Sequence, residues 1–336
     1  MKAHFNRFLL LLVVSVTALA AQGQEFRHLL KGFDDNDGID IRGMGTDDGY
    51  TNGTGIDLYR PAARPRAFIN ALMPKAGDSA FNTSGWGIMQ VMYTPTEIRT
   101  YNPDPNDYHF GGGLYIKHSL HSADKRRKLN LQSELLLGIM GPASLASNFQ
   151  KLIHSIGGFY TPRGWDHQLP TDLLLNYNFT AEKQLCAIGE GLDINAGGTA
   201  MLGSLQTSAQ VYTLFRFGKK FSYYEGFIQQ YCRPNTPGKK QWQLYGILQP
   251  GLQWTGYQAM YQGGLLNSQS PLNNNSKIHG QAHATMRPEP FLAHLDFGII
   301  ASSGGFGILW KQSLRTREVQ HMTPRSVGTI SVQIAW

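Results

Sequence analysis

The sequence predicts an all-β fold, a twelve-stranded antiparallel transmembrane β-barrel with a short helix in an external loop, and three observations predict it. Alternating runs bounded by turn residues recur twelve times, near residues 27–35, 47–60, 81–93, 109–121, 127–140, 170–181, 185–197, 200–218, 241–256, 289–302, 305–317 and 326–336. An even number of such runs is what a closed antiparallel barrel needs. The last run is the most telling. Gly328, Ile330, Val332, Ile334 and Trp336 share one face, and Thr329, Ser331, Gln333 and Ala335 share the other. Apolar residues out, small polar residues in and a terminal ring are how outer-membrane barrels close. Third, beyond the N-terminal leader there is no run of about 18 uncharged apolar residues, so any crossing of a membrane is made by strands.

The leader itself is a secretory signal. Lys2 and Arg7 precede an apolar run from Phe8 to Val16, and Ala18-Leu19-Ala20 is a small-x-small site ahead of Ala21. The apolar core is too short to span a bilayer as a helix. Residues 1–20 are therefore read as the signal peptide and residues 21–336 as one outer-membrane barrel with external loops. The remaining length of about 310 residues suits one large barrel or sandwich. With 38 glycines, 38 aromatic residues (17 Phe, 15 Tyr, 6 Trp) and only 16% charged residues, composition allows a barrel with interfacial girdles, and equally a large periplasmic β-domain. The closing strand favours the barrel. A net charge of +7 suits a phosphate-bearing anionic partner such as lipopolysaccharide, and export excludes nucleic acid. Cys186 and Cys232 can form a disulfide in an oxidising compartment, but spacing cannot show that they meet.

Counting strands from a periplasmic N-terminus puts each odd-to-even connection outside the cell. The short links Ser122–Arg126, Thr180–Lys183 and Ser302–Gly304 then fall on the periplasmic side. Residues 34–50, 94–108 and 141–169 fall on the outer side. The last of these holds a helix, started by Gly141-Pro142 and stopped by Gly157-Gly158. Its stripe of Leu145, Phe149, Leu152 and Ile156 is expected to pack on the barrel rim.

Three clusters on that side can carry chemistry. Phe33-Asp34-Asp35-Asn36-Asp37 stands at the outer end of the first strand, and its oxygens suit a hard cation such as Ca2+. The same residues also suit a solvated turn. The second strand opens with Thr46-Asp47-Asp48-Gly49-Tyr50-Thr51-Asn52-Gly53, which places Thr51 near Asn36 and Asp37 across a hairpin. Its hydroxyl can hold a water or substrate, or Thr51 is an ordinary β-favouring residue. On the helix, Gln150 and His154 sit four apart on one face, away from the apolar stripe. A neutral histidine can take a proton from water and return it to a leaving alkoxide. A surface histidine usually does neither. No Gly-x-Ser-x-Gly elbow or His-Glu-x-x-His is present, which disfavours a serine hydrolase or zinc protease. His118, His121, His279, His283, His294 and His321 are scattered without ligand spacing.

Taken together, these motifs resemble the outer-membrane lipid A 3′-O-deacylase family. The resemblance rests on Asp35-Asn36-Asp37, Thr46-Asp47, Tyr50 to Gly53, Met92-Tyr93-Thr94-Pro95, Gly138 to Pro142, Gln150 to His154, and Gly164-Trp165-Asp166-His167-Gln168-Leu169. It implies an esterase that removes the 3′-linked acyloxyacyl chain from lipid A, with calcium as cofactor. It implies a catalytic role for His154, a site and metal role for Asn36 and Asp37, and site roles for Thr51 and Gln150. It also makes Arg99 the candidate for binding a glucosamine phosphate, and Asp172 the candidate for an acidic residue after the Gly-Trp-Asp segment. The family's stretch after the Tyr-x-Pro motif is replaced here by Asp107-Tyr108-His109-Phe110-Gly111-Gly112. Two other readings stand beside this one: a barrel without enzymatic activity, as channel or structural protein, and a phospholipase acting on glycerophospholipids.

Overall fold

The computed structural model describes residues 27–41, 49–62, 68–224, 231, 242–274 and 286–336. The leader, Thr46-Asp47-Asp48, Cys232, His279 and His283 lie outside the described residues. Twelve strands run in chain order: β1 Leu29–Asn36, β2 Gly49–Pro61, β3 Phe81–Thr94, β4 Gly111–Asp124, β5 Leu129–Met140, β6 Asp172–Ile188, β7 Leu192–Gly203, β8 Gln206–Lys219, β9 Trp242–Gln258, β10 Phe291–Ser303, β11 Phe306–Arg315 and β12 Arg325–Ala335. Each pairs with its chain neighbours, and β1 closes on β12. Every pairing is antiparallel, so the strand hydrogen bonds close on themselves and leave no edge.

The closing strand behaves as its pattern predicts. Ser331, Gln333 and Ala335 are buried in the lumen, while Ile330, Val332 and Ile334 stay partly exposed on the outside. The final residue then locks the seam. Both Arg27 and His28 donate their backbone N–H to the Trp336 carbonyl, Trp336 donates to the His28 carbonyl, and the two rings stack at 5.5 Å. The same alternation holds around the wall, where Ile56, Leu58, Ile88, Ile116, Leu137 and Leu175 stand exposed on the outer face.

The lumen is filled by side chains. Tyr59, His121 and Tyr231 cluster at one rim in edge-on and tilted contacts, with ring centroids 4.3 to 5.4 Å apart. Lys117 pairs with buried Asp57 at 3.0 Å nearer the middle. At the other rim Tyr93, Tyr108, Tyr115, Met260 and Tyr261 form one buried cluster. Above it Arg315 pairs with Glu318 at 3.0 Å, and the Arg325 guanidinium lies 4.3 Å from the Tyr108 ring centre.

Two expectations need correction. The link assigned to Thr180–Lys183 is part of β6, where those residues pair with β5 and β7 alike. The turn comes later, at Gly189-Glu190-Gly191, where Gly189 takes φ +57. Residues 180–184 contain neither glycine nor proline, so nothing there can end the strand cheaply. The second correction concerns the long helix. Among the described residues the helices are α1 Phe68–Leu72, α2 Ala146–Gly157, α3 Ala259–Gln262 and α4 Pro271–Asn274. The helix of the 141–169 loop is α2, preceded by a 3-10 turn at Gly141–Ser144. Leu145, Leu152 and Ile156 are 58%, 56% and 72% exposed, so the aliphatic stripe points away from the barrel and only Phe149 packs inward. Close approach explains the inversion. A Cβ on Gly112 of the wall would lie 2.2 Å from the Ala146 side chain, so the helix sits down on its smallest face.

Candidate active site

Strand register places the wall residues. Asp34 lies opposite Thr54 and Asn36 opposite Asn52, so all four share the outward face at one end of β1 and β2. Asp34 accepts from Asn52 Nδ2 at 2.8 Å and from Thr54 Oγ1 at 2.6 Å. Asn36 ends the strand and accepts the Gly38 backbone N–H at 2.7 Å, opening a 3-10 turn that contains Asp37. Asp35 points the other way, into the lumen, and accepts from Tyr50 at 3.0 Å and Thr329 at 2.7 Å. The end of β1 is thus braced from both sides of the sheet.

Thr51 is the extra residue of a register shift between Tyr50 and Asn52. The bulge turns its hydroxyl onto Thr94 of β3, 2.7 Å away, and both threonines are buried. Bulges of this kind re-aim a side chain at a rim.

The helical half is built on different contacts. Gln150 is buried on the wall side of α2, where its Oε1 accepts from the Trp165 indole at 2.6 Å. Its Nε2 is buried with no hydrogen-bond partner. Trp165 packs among Met92, Ile98, Phe110, Ala146 and Phe149 in the seam between helix and wall. His154 lies one turn further on the same face, half-buried. Gly158 caps α2 in the left-handed region at φ 69, and the reversed chain brings the Tyr160 carbonyl 2.6 Å from His154 Nδ1. A carbonyl carries no hydrogen, so Nδ1 donates and Nε2 of the neutral ring keeps its lone pair. Phe159 meets the imidazole edge to face at 5.6 Å.

The structure therefore brings the expected residues to one rim in two groups. Asn36, Asp37 and Thr51 sit on the wall; Gln150, His154 and Arg99 sit on the helix and its neighbouring loop. Strand β3 joins them. Its Thr94 bonds Thr51, its Met92 packs in the helix seam, and its Gln90 Nε2 donates to the Ser144 carbonyl just ahead of α2 at 2.8 Å. Sequence reasoning assigned no role to Gln90, Thr94, Tyr160 or Trp165. Arg99 is exposed and held by Glu97 through two bonds, Nε at 2.8 Å and Nη2 at 2.6 Å. The guanidinium holds the Glu97 carboxyl down to about 2. Asp172 accepts the Leu266 and Asn267 backbone N–H groups, which ties it to the loop after β9.

Among the described residues no three carboxylates, histidines or cysteines converge as a metal cage. The oxygens that the end of β1 offers are those of the Asn36 amide, which accepts from Gly38, and of the Asp37 carboxylate. An all-oxygen set of this kind fits calcium, completed by water and substrate oxygens, and fits softer metals poorly.

The family model for outer membrane protein LpxR matches residues 8–336 of the chain. Among solved structures, LpxR from Salmonella typhimurium superimposes with a TM-score of 0.68 at 15% identity, covering 92% of this chain and 100% of that one. An outer membrane channel from Pseudomonas putida F1 gives a TM-score of 0.46 at 9% identity, over 94% of this chain and 98% of the other. The beta domain of the Bordetella autotransporter BrkA gives 0.44 at 8% identity, over 92% and 99%. A comparison with curated protein sequences finds no match.

Proposed function

The chain belongs to the LpxR outer membrane protein family, and on that premise we propose that it is a lipid A deacylase that removes the 3′-linked acyloxyacyl chain by hydrolysis, with its site on the external rim. The observation that carries the reading is the state of His154. Its Nδ1 is held by a carbonyl, so the free Nε2 lone pair is ready to act as a base.

In this mechanism Nε2 takes a proton from a water whose oxygen attacks the ester carbonyl. The same proton then passes to the sugar 3′-oxygen as the carbon–oxygen bond breaks, leaving a free fatty acid and a lipid A hydroxyl. No acyl-enzyme forms. Asn36 and Asp37 are the residues that would hold calcium, whose chemistry there is to polarise the carbonyl and neutralise the developing oxyanion. The unpartnered Gln150 Nε2 is a donor for the substrate or the attacking water. Thr51, its hydroxyl held by Thr94, shapes the wall side from below, and exposed Arg99 offers cationic charge suited to a substrate phosphate. The outward aliphatic stripe of α2 supports the same reading, because a site for a lipid gains from an apolar approach through the leaflet.

Purified protein incubated with lipid A and calcium is expected to release the 3′ chain, and chelation is expected to stop release reversibly. Glycerophospholipid cleaved in preference to lipid A would transfer the mechanism to a phospholipase. Ion conductance in planar bilayers with neither lipid cleaved would replace it with a channel.

A further inference from the structure

We propose that Arg99 and Tyr160 form a clamp that positions His154, which makes both positioning residues for the reaction and gives Arg99 a task beyond phosphate contact. The proposal rests on the reading of His154 as the base. Tyr160 supplies the carbonyl that orients the imidazole, 2.6 Å from Nδ1. It reaches that place through the left-handed turn at Gly158, after which Phe159 returns its N–H to the His154 carbonyl at 2.8 Å. Backbone geometry alone would leave the next residues free to swing, since the Tyr160 side chain is 71% exposed.

Its ring is held from the other loop. The Arg99 guanidinium lies 5.1 Å from the Tyr160 ring centre, and the two bonds to Glu97 fix the guanidinium plane. The arrangement is reciprocal. Arg163, three residues past Tyr160, places its guanidinium 5.3 Å from the Tyr101 ring and donates its backbone N–H to the Ile98 carbonyl at 2.8 Å. Each loop therefore gives an arginine to the tyrosine of the other, and buried Ile98 anchors the pair in the seam with Trp165. An exposed Arg–Glu pair contributes little to stability. Here its effect is orientation, passed from Glu97 to Arg99, to Tyr160 and to the imidazole.

The test uses the mature full-length barrel in detergent, with folding checked by heat-modifiable migration, and the variants Arg99→Lys and Tyr160→Ala. Lysine keeps the positive charge for a phosphate but loses the planar stack and the paired bonds. Both variants are expected to lower kcat on lipid A by roughly ten- to a hundredfold with KM little changed, as displacement of a catalytic group does. Nitrogen-15 spectra of labelled histidine, with the His154 signal assigned by its loss in His154→Gln, are expected to show the Nδ1–H form in the wild type. In both variants a mixture of tautomers is expected. A raised KM with unchanged kcat, or an unaltered Nδ1–H signal in both variants, overturns the clamp. If the wild type leaves lipid A intact, the reading of function fails separately and the tautomer comparison still decides the clamp.

Discussion

The wall half and the helix half of the site hold their residues by different means. Asn36, Asp37 and Thr51 are set by the register of a closed sheet, in which β1 is paired on both sides and its end is braced by Asp34 outside and Asp35 inside. Gln150 and His154 are set by a few side-chain and loop contacts on a helix that touches the wall along one narrow face. The wall can therefore be damaged only together with the barrel, whereas the helix half can lose its geometry while the barrel stays intact. Catalytic function placed on a mobile-capable loop over a rigid scaffold is a common division of labour.

Substitutions on the two halves sharpen this contrast. The largest effect is expected for His154→Gln, which removes the base: hydrolysis of lipid A should fall by about 10²–10⁴-fold, with heat-modifiable migration unchanged. Next, Asn36→Ala or Asp37→Ala should cost roughly tenfold or more in the calcium concentration needed for half activity, read from calcium titrations of the deacylation rate. Thr51→Val leaves the buried Thr94 hydroxyl without its partner and should lower stability by about 1–3 kcal/mol, read as an earlier midpoint in denaturant unfolding. Trp165→Phe deletes the indole donor to Gln150 and part of a buried ring in the seam outside the wall, and should lower activity by a factor of roughly ten, equivalent to about 1.4 kcal/mol, with heat-modifiable migration of the barrel unchanged. The comparison breaks if Trp165→Phe unfolds the barrel, or if Thr51→Val changes activity alone.

Much of the fold was legible because a barrel writes itself as period-two alternation, and each of the twelve strands overlaps a run seen in the sequence. One boundary slipped because the turn was expected at Thr180–Lys183, a stretch without glycine or proline that continues β6, and not at Gly189-Glu190-Gly191, where the glycines stand. The helix was legible as a helix, from its capping glycines and its spacing. Its orientation was not, because an apolar stripe normally faces protein and here Leu145, Leu152 and Ile156 stand exposed. Asn36, Thr51, Gln150 and His154 took their roles from the family resemblance, because side-chain chemistry alone also allowed a solvated turn, an ordinary strand threonine and a surface histidine. The links between them were not legible. Thr94 and Gln90 are ordinary strand residues until register places them beside Thr51 and Ser144. The group that orients His154 is a backbone oxygen, and no residue type advertises that.

The most direct test of the central claim is the mass profile of lipid A extracted from cells that produce the wild-type protein or His154→Gln in equal amounts in the outer membrane. The account predicts lipid A lacking its 3′-linked chain in the first and unaltered lipid A in the second. The intact acyl pattern in both, or the same loss in both, would contradict it.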